Sequence, residues 1–430
     1  MTAARRISEW ALSLHDVPPE VEAKVTRHML DGVGCALAAV RTGAVPSVLQ
    51  AVRTSDEEAP VLGVGLRASA PMAALANGAL VHALDFDDTH PAALVHATAA
   101  VLPAALAFPT ASGREVLAAA AAGYETVVRL GAAVPHGFHS RGLHATSVCG
   151  VFAAALVASR LIGLDAERTT HALGIAGSLA AGSLEFLHTG SSTKQLHPGL
   201  ASMNGIMAAR LAAAGADGPD TILEGKHGLY RSYLQAEVDP YALTADLGSR
   251  WDMLATSMKP YPACQLVLAP LDALRTLLPL PDDDLVFRVP PGAVEIVCEP
   301  AAQKARPRTP YEARFSLPFC AAVLATDGEL TVDSLERLDR PEVAELAGRV
   351  RYEVTSFAGP PAEAPGRVEV GGRVGEAPAL RDPSDAELIA KLRANAGGPV
   401  ERLADTVLGL ASLASVEEIF EAALAREPVA

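Results

Sequence analysis

The chain has 430 residues, with 35 basic and 50 acidic side chains and a formal net charge of −15. An acidic chain without a block of Lys and Arg is poorly suited to bind nucleic acid, because phosphate neutralisation needs clustered cations. Half of the residues are hydrophobic but only 4% are aromatic. The apolar content is therefore mostly Ala, Leu and Val, which favours packed helices over β-sandwiches. The length is that of an enzyme of about two or three domains.

Export and membrane insertion are not expected. The first 20 residues lead from Arg5 and Arg6 into a short helical pattern and lack an apolar signal core. The uncharged stretch 90–113 is rich in Ala and contains His and Pro, whereas a lipid-facing span favours Leu, Ile and Phe. The five cysteines lie far apart without CxxC spacing, which favours reduced thiols in the cytoplasm. No P-loop or GxGxxG pattern is present, so we expect no nucleotide cofactor.

The first 255 residues or so predict one helix after another. Apolar residues recur at helical spacing, and Gly, Pro or Asn separates the segments. The segment 150–164 is apolar nearly all round, which is typical of a helix in the middle of a bundle. The predicted helices are 20–40, 71–84, 98–108, 113–134, 147–162, 166–182 and 199–214.

The pattern changes after about residue 256, where strands and helices alternate. Strands are expected at 293–300 and 348–354, and a hairpin at 367–376 with Gly371 and Gly372 in its turn. Helices are expected at 316–326, at 340–348, at 385–396 after a capping box of Ser384 and Glu387, and at 400–427. We predict a mainly α fold. A large all-helical domain of residues 1–255 and 396–430 would carry a smaller inserted α+β lid domain of residues 256–395.

Ten of the twelve histidines lie between residues 82 and 227, and histidine is the side chain best suited to proton transfer near neutral pH. The densest block, 77–107, also contains Asp85, Asp87 and Asp88. On a helix, Asp85 would lie one turn from both His82 and Thr89. This block indicates either an aspartate base beside His96 or a helix end with acidic caps and solvated histidines.

Metal binding is not predicted for this block. Its histidines are separated by seven and by five residues, so no two of them have the i, i+4 spacing of a helical metal site, and no HExxH motif is present.

A second block, 136–155, places His144 just before an apolar helix for which Thr146 or Ser147 would be the cap. The positive end of a helix dipole favours a neutral, base-competent histidine and attracts anions. His136 and His139 fit a polar surface loop equally well.

Two further blocks contain lysines beside uncharged loops. Lys194 lies in a Gly-, Ser- and Thr-rich loop, while Lys259 and Tyr261 alternate with prolines and are followed by Cys264. In a chain of charge −15, two lysines before apolar helices indicate a local cationic pocket for carboxylates.

These four blocks resemble the MmgE/PrpD family, which includes 2-methylcitrate dehydratase, cis-aconitate decarboxylase and iminodisuccinate epimerase. The resemblance implies a helical domain built from both termini, a smaller lid domain, a metal-free active site in the cleft between them and usually a homodimer. The matching segments are 77–90, 142–165, 192–215, 259–264 and 311–330.

The resemblance also implies roles for individual residues. The predicted catalytic residues are Asp85, His96, His144 and Lys194, and the predicted substrate-binding residues are Thr89, Lys259, Tyr261 and Cys264. The chain departs from the family after Cys264, because several members have a histidine at or just beyond this position. This difference argues against the decarboxylase activity.

The leading functional prediction is a cofactor-independent lyase, a dehydratase acting on a hydroxylated carboxylate by removal of the alpha proton and loss of water. Either Asp85 or His144 would be the base. An epimerase or a decarboxylase acting on a related di- or tricarboxylate is the alternative, because these reactions share a carbanion-like intermediate. A catalytically inactive helical binding protein is the alternative from another class.

Overall fold

The computed structural model describes residues 1–53, 57–379 and 381–425. The contacts divide the chain into two compact units, Met1–Thr256 with Ala396–Ala430 and Ser257–Asn395. Helices hold 58% of the residues, which confirms the predicted mainly α class. The roles of the two segments as a helical domain and a lid stay predictions.

The first unit is a bundle of helices with one short two-stranded ladder, β1 (Ala59–Pro60) and β2 (Arg67–Ala68). Short turns of π-helix and 3₁₀-helix lie at Tyr230–Leu234, Asp252–Ala255 and Leu410–Ser412. The α-helices of this unit are α1 (Ala3–Ser13), α2 (Pro19–Arg41), α3 (Pro46–Ala51), α4 (Ala70–His82), α5 (Ala97–Leu106), α6 (Gly113–Ala132), α7 (Gly137–Ser140), α8 (Ala145–Leu161), α9 (Ala166–Leu179), α10 (Phe186–Thr189), α11 (Thr193–Ala213), α12 (Pro240–Thr244), α21 (Glu401–Leu408) and α22 (Glu417–Leu424).

All seven predicted helices of this region are present, and the largest error is at the start of α11. This helix begins at Thr193, six residues before the predicted start, and continues through Pro198. Lys194 is therefore on a helix and not in a loop. Proline removes one backbone donor from a helix, but here the helix around it packs closely against α4.

Glycines allow the close contact of α4 and α11. A Cβ atom on Gly78 would lie 2.5 Å from the Cα of Gly199, and one on Gly199 would lie 2.2 Å from the carbonyl oxygen of Leu75. Only residues without a side chain fit at such a crossing. This contact brings the C-terminal end of α4, which carries His82, close to the first turns of α11.

The second unit contains a four-stranded sheet with the order β4-β3-β5-β6. Strand β3 runs parallel to β4 and antiparallel to β5. The strands are β3 (Leu285–Val289), β4 (Val350–Val354), β5 (Gly366–Val370) and β6 (Arg373–Ala377). The helices are α13 (Gln265–Arg275), α14 (Pro291–Val297), α15 (Ala301–Ala305), α16 (Pro310–Arg314), α17 (Leu317–Asp327), α18 (Val332–Glu336), α19 (Pro341–Gly348) and α20 (Asp385–Ala396), with a 3₁₀ turn at Pro361–Glu363.

The hairpin prediction is confirmed. Val370 pairs with Arg373, and the turn residues Gly371 and Gly372 have φ angles of +56° and +76°. Two successive positive φ angles match the twist of the flanking strands, and glycine adopts them readily.

The strand predicted at 293–300 is wrong, because most of this segment forms α14. Pro291 is at the first position of the helix, where its fixed φ angle and missing donor are favourable. The strand lies just upstream, at β3. A short apolar run fits the pattern of a strand and that of a buried helix, and here the preceding prolines favour the helix.

The predictions for the C-terminal region are partly correct. The capping box of α20 is confirmed, since Glu387 accepts from the backbone and hydroxyl of Ser384 and donates its own N–H to that hydroxyl. Over the described residues, the single helix predicted at 400–427 is instead two helices, α21 and α22, separated by a 3₁₀ turn that follows Gly409. Residues 426 and 427 of this prediction lie outside the described residues. Within the described parts of the chain, no helix is long and apolar enough to cross a membrane.

Candidate active site

Four buried histidines of the first unit lie together where helix ends meet. His82 is the last residue of α4, His96 is the N-cap of α5, His144 is the N-cap of α8, and His197 lies in the second turn of α11. None is more than 8% exposed. The ring of His82 lies 4.5 Å from that of His96 and 5.8 Å from that of His144, and the rings of His144 and His197 are 5.2 Å apart.

The three aspartates after α4 lie in a loop, so the expected helical spacing of His82, Asp85 and Thr89 is wrong. The helix ends at His82, and Asp85 has a φ angle of +52° in the left-handed region, which aspartate tolerates better than most residues. The loop turns the carboxylates toward different partners, an arrangement that a single helix face does not allow. Phe86, which lies among these aspartates, is buried.

Asp85 forms an ion pair with Lys194. The Nζ atom of Lys194 is 3.0 Å from the Oδ1 atom of Asp85, and both side chains are partly exposed. The side-chain amide of Gln195 donates to the carbonyl oxygen of Ala83 at 2.9 Å, which fixes the loop to the first turn of α11. An ammonium and a carboxylate are thereby held beside the histidines.

Asp87 binds and orients His82. Its two carboxylate oxygens lie 2.9 and 3.1 Å from the Nδ1 atom of His82, and both side chains are fully buried. Because Nδ1 is bound to a carboxylate, the proton of a neutral His82 ring is placed on this nitrogen. The buried Nε2 atom of His82 has no hydrogen-bond partner among the described residues.

Asp88 anchors the loop to the bundle behind the histidines. Its carboxylate oxygens accept from the backbone and hydroxyl of Thr98 and lie 2.8 Å from the Nδ1 atom of His28. The hydroxyls of Thr98 and Tyr124 are 2.7 Å apart. Burial raises the pKa of Tyr124, and the nearby Asp88 carboxylate acts in the same direction, so the Tyr124 hydroxyl keeps its proton.

The backbone of Asp88 in turn orients His96. The Nδ1 atom of His96 is 2.7 Å from the carbonyl oxygen of Asp88 and 3.4 Å from the hydroxyl of Thr89. A carbonyl oxygen only accepts, so Nδ1 carries the proton and Nε2 is the acceptor of a neutral ring. The backbone N–H of His96 donates to the hydroxyl of Thr146. The expected cap of α8, Thr146 or Ser147, is wrong, because the N-cap is His144. The Thr146 hydroxyl instead supports His96.

His144 is held in the neutral state. Burial lowers its pKa well below the usual value, and the neighbouring His82, His96 and Lys194 act in the same direction. Its Nδ1 atom is 3.0 Å from the Nδ1 atom of His197, so one of these two nitrogens donates and the other accepts. A neutral, buried imidazole with a fixed ring is a suitable proton acceptor.

The predicted site residues fall into two groups. Asp85, Thr89, His96, His144 and Lys194 lie close together in the first unit. Lys259, Tyr261 and Cys264 belong to the second unit. Their assignment to substrate binding stays a prediction.

Each residue of the second group has contacts within its own unit. The Nζ atom of Lys391 donates to the carbonyl oxygen of Lys259. The hydroxyl of Tyr261 donates to Asp272, and burial raises its pKa. Cys264 is the N-cap of α13.

Three residues of the cluster were not selected from the sequence: His82, Asp87 and His197. His82 and Asp87 lie in the same block as Asp85, and His197 follows Lys194 by three residues. Their proximity in the chain was the available signal. The sequence does not indicate the conformation of the loop after α4, which turns Asp87 toward His82.

Acidification should destabilise the first unit through the partly buried His139 and the buried His197. Burial lowers the pKa of His139 and of His197 from 6.5 to about 4, and Lys194 contributes to both shifts. The unfolded chain binds protons at these sites near pH 6.5 and the folded chain only near pH 4, so stability is lost as pH falls through this range. We expect the urea midpoint to fall between pH 7 and pH 5, and to fall less in His139→Gln. The exposed His227 supplies the control His227→Gln, and an equal pH response in both variants would contradict this prediction.

The comparison with protein families identifies the class of the chain. Residues 5–240 match the MmgE/PrpD N-terminal domain and residues 261–406 match the MmgE/PrpD C-terminal domain. The chain therefore belongs to the MmgE/PrpD family.

Curated relatives of this chain carry the name cis-aconitate decarboxylase. The protein from Aspergillus terreus is 30% identical over 290 residues, a match that covers 63% of this chain and 59% of the relative. The human protein is 31% identical over 354 residues, covering 76% of this chain and 71% of the relative, and the mouse protein is 30% identical over 358 residues, covering 76% and 70%. By their names, these relatives are enzymes that act on cis-aconitate, a small carboxylate.

Proposed function

We propose that this chain is a cofactor-independent lyase that removes the proton alpha to a carboxylate of a hydroxylated di- or tricarboxylate and expels water. The observation that carries the proposal is the group of buried histidines around His144 beside the Asp85–Lys194 ion pair. Such an elimination needs a base, an acid for the departing hydroxyl and a cation that stabilises the enolate charge.

His144 is the proposed base. Its low pKa keeps it neutral before substrate binds, and the negative charge of a bound carboxylate would raise that pKa and strengthen the base. Asp85 is the less favourable choice, because the ammonium group of Lys194 lies 3.0 Å from its carboxylate and an ion-paired carboxylate is a weaker base.

His96 is the proposed acid. In the reaction, His144 takes the alpha proton, the electron pair of the broken C–H bond forms the C=C bond, and the C–O bond breaks. A protonated His96 then gives its proton to the departing oxygen, which leaves as water. The ring of His82 lies within 6 Å of the rings of both residues, so it is the proposed route by which the proton returns from His144 to His96.

Decarboxylation is the second candidate reaction, and the names of the relatives favour it. In that case a C–C bond breaks, CO₂ leaves, and the resulting carbanion is protonated in the site. Epimerisation needs the same proton abstraction with return of the proton to the opposite face. All three reactions pass through a carbanion stabilised by a neighbouring carboxylate, and the same residues serve each of them.

Proton NMR in heavy water distinguishes these reactions. The purified chain is incubated with hydroxy di- and tricarboxylates and with cis-aconitate. A new vinyl signal from a hydroxy acid supports dehydration, exchange of an alpha proton without product supports epimerisation, and loss of CO₂ from cis-aconitate supports decarboxylation. The absence of exchange and product with every compound would contradict the enzyme class and favour the inactive binding protein.

Lys194 and Lys259 are proposed to bind substrate carboxylates. Removal of a charge-assisted hydrogen bond costs about 1.5–3 kcal/mol, so Lys194→Met should lower kcat/KM by about 10- to 150-fold. Most of this loss should appear as a higher KM, because the carboxylate is charged in both ground and transition states. Steady-state kinetics of Lys194→Met and of the exposed control Lys226→Met test this, and equal KM values in the two variants would exclude the role.

The proposed reaction needs no metal ion, because lysine side chains supply the positive charge. We therefore expect the activity of the purified enzyme to survive dialysis against a strong chelator. Metal content and activity are measured before and after dialysis. A loss of activity that added metal restores would overturn this part of the proposal.

The proposal also includes an oligomeric state, a homodimer, and a location in the cytoplasm. The family resemblance supports a homodimer, and the five separated cysteines, all of them free thiols, support a reducing cytoplasm. Light scattering of the purified chain tests the dimer.

A further inference from the structure

Three histidines of the site have the geometry of a metal site. His82, His96 and His144, called here the three-histidine cluster, each offer a ring nitrogen, and these three atoms lie within 4.8 Å of one another. Nitrogen ligands about 2.0–2.1 Å from a tetrahedral zinc ion are about 3.4 Å apart. Small movements of the three rings therefore bring their nitrogens into coordination distance.

The surroundings of two of these rings match the usual support of metal-binding histidines. A ligating histidine commonly donates its other ring N–H to a carboxylate or a backbone carbonyl, which fixes the tautomer and the ring orientation. The Nδ1 atom of His82 is bound to the carboxylate of Asp87, and that of His96 to the carbonyl oxygen of Asp88. In both rings, Nε2 is the nitrogen suited to coordination.

His82 supplies a second, independent indication of a ligand. It is 1% exposed, and among the described residues no atom forms a hydrogen bond with its Nε2. A buried polar atom without a partner is unfavourable, and coordination of a cation would satisfy it. The Nδ1 atom of the same ring already binds Asp87, so Nε2 is the nitrogen of His82 that is left for a ligand.

The ligand atoms determine the kind of metal. Imidazole nitrogens suit zinc and the later transition metals, whereas magnesium and calcium require oxygen ligands. The nearby carboxylates have other partners, since Asp85 is bound to Lys194 and Asp87 to His82. They orient the site and lend it negative charge, while the three imidazoles are the coordinating groups.

We propose that His82, His96 and His144 bind one Zn²⁺ ion, which leaves a fourth coordination position open for water or a carboxylate. The ion would occupy the imidazoles that the proposed reaction uses for proton transfer, so it would act as an inhibitor and not as a cofactor. This inhibition rests on the proposed function. The binding itself does not.

Zinc binding is measured on the full chain after dialysis against a chelator, by competition with a chromophoric zinc indicator and without any substrate. We expect one Zn²⁺ per chain, and loss of this site in His82→Gln and in His96→Gln. Asp87→Asn keeps all three ligands but removes the carboxylate behind His82, and it should weaken the affinity by about 10- to 100-fold. The exposed His227 provides the control His227→Gln, which should bind zinc as the wild type does.

Circular dichroism measures whether each variant is folded. If a histidine variant does not fold, Asp87→Asn still tests the site, because it keeps all three ligands. Cobalt substitution adds a spectroscopic test, because Co²⁺ in a four-coordinate site absorbs visible light strongly. The proposal is overturned if the wild type binds no stoichiometric zinc, or if Asp87→Asn and His227→Gln bind zinc equally. Absence of lyase activity would leave the zinc result intact, and absence of zinc binding would leave the proposed reaction intact.

Discussion

Replacement of His144 by glutamine is expected to lower kcat by about 10²- to 10⁴-fold, the usual contribution of a positioned general base. Glutamine has a similar size and retains a polar group for the contact with the Nδ1 atom of His197, but it does not accept the alpha proton. KM should change little, because the substrate carboxylates are assigned to the lysines and not to this ring.

Kinetics of His144→Gln are best compared with those of His171→Gln. His171 is partly buried, and its ring is hydrogen-bonded to the backbone of Gly218, but it lies on α9 and has no part in the proposed reaction. The control should retain wild-type kcat. If His144→Gln retains it as well, the proposed mechanism is wrong even though the family assignment stands.

Asp85→Asn extends this comparison. If Asp85 only holds Lys194 in place through their ion pair, the variant should raise KM in the manner of Lys194→Met. A fall in kcat without a change in KM would instead identify Asp85 as the base. The sequence left open whether Asp85 or His144 is the base. A change in kcat or in KM of Asp85→Asn therefore distinguishes these two assignments.

The fold class could be predicted because it depends on local patterns. The apolar spacing of the first unit predicted its long helices, and Gly371 with Gly372 predicted the hairpin. The secondary-structure predictions are wrong where one local sequence pattern fits two structures. The segment 293–300 alternates like a strand but lies mostly in a helix that begins at Pro291. The helix predicted to begin at residue 199 instead continues through Pro198, where it packs closely on α4.

The candidate site could be located from the sequence but not assembled from it. Asp85, His96, His144 and Lys194 were all selected, and they lie together in the first unit. The helix assumed for the aspartates concealed the loop in which Asp87 turns to His82 and Asp88 to His28.

The prediction of no metal site in the block 77–107 rests on local spacing as well, and local spacing does not show which residues meet in the fold. Histidines spaced on one helix indicate a metal site in the sequence, but the three histidines of this cluster come from the ends of α4, α5 and α8.

A buried ion pair on α6 holds a distant segment of the first unit in place. Glu125 and Arg129 are buried, and their Oε1 and Nε atoms are 2.5 Å apart. Glu125 also accepts from the backbone N–H groups of Asp252 and Met253, while Arg129 donates to the carbonyl oxygens of Ala245 and Arg250. The pair thus fixes the segment 245–253.

We expect Glu125→Ala to lower the free energy of unfolding by about 3–5 kcal/mol, because it leaves the buried guanidinium of Arg129 with only the partly exposed carboxylate of Asp252, 4.0 Å away. The control is Glu9→Ala, which removes the same kind of i, i+4 pair from an exposed position, where Arg5 and Glu9 are 37% and 40% exposed. An exposed pair contributes about 0.3–0.5 kcal/mol. Urea unfolding with linear extrapolation measures both values.

The double variant Glu125→Ala/Arg129→Met should be more stable than Glu125→Ala alone, since it removes the unpaired charge. Equal losses in Glu125→Ala and Glu9→Ala would show that the buried pair does not hold this segment.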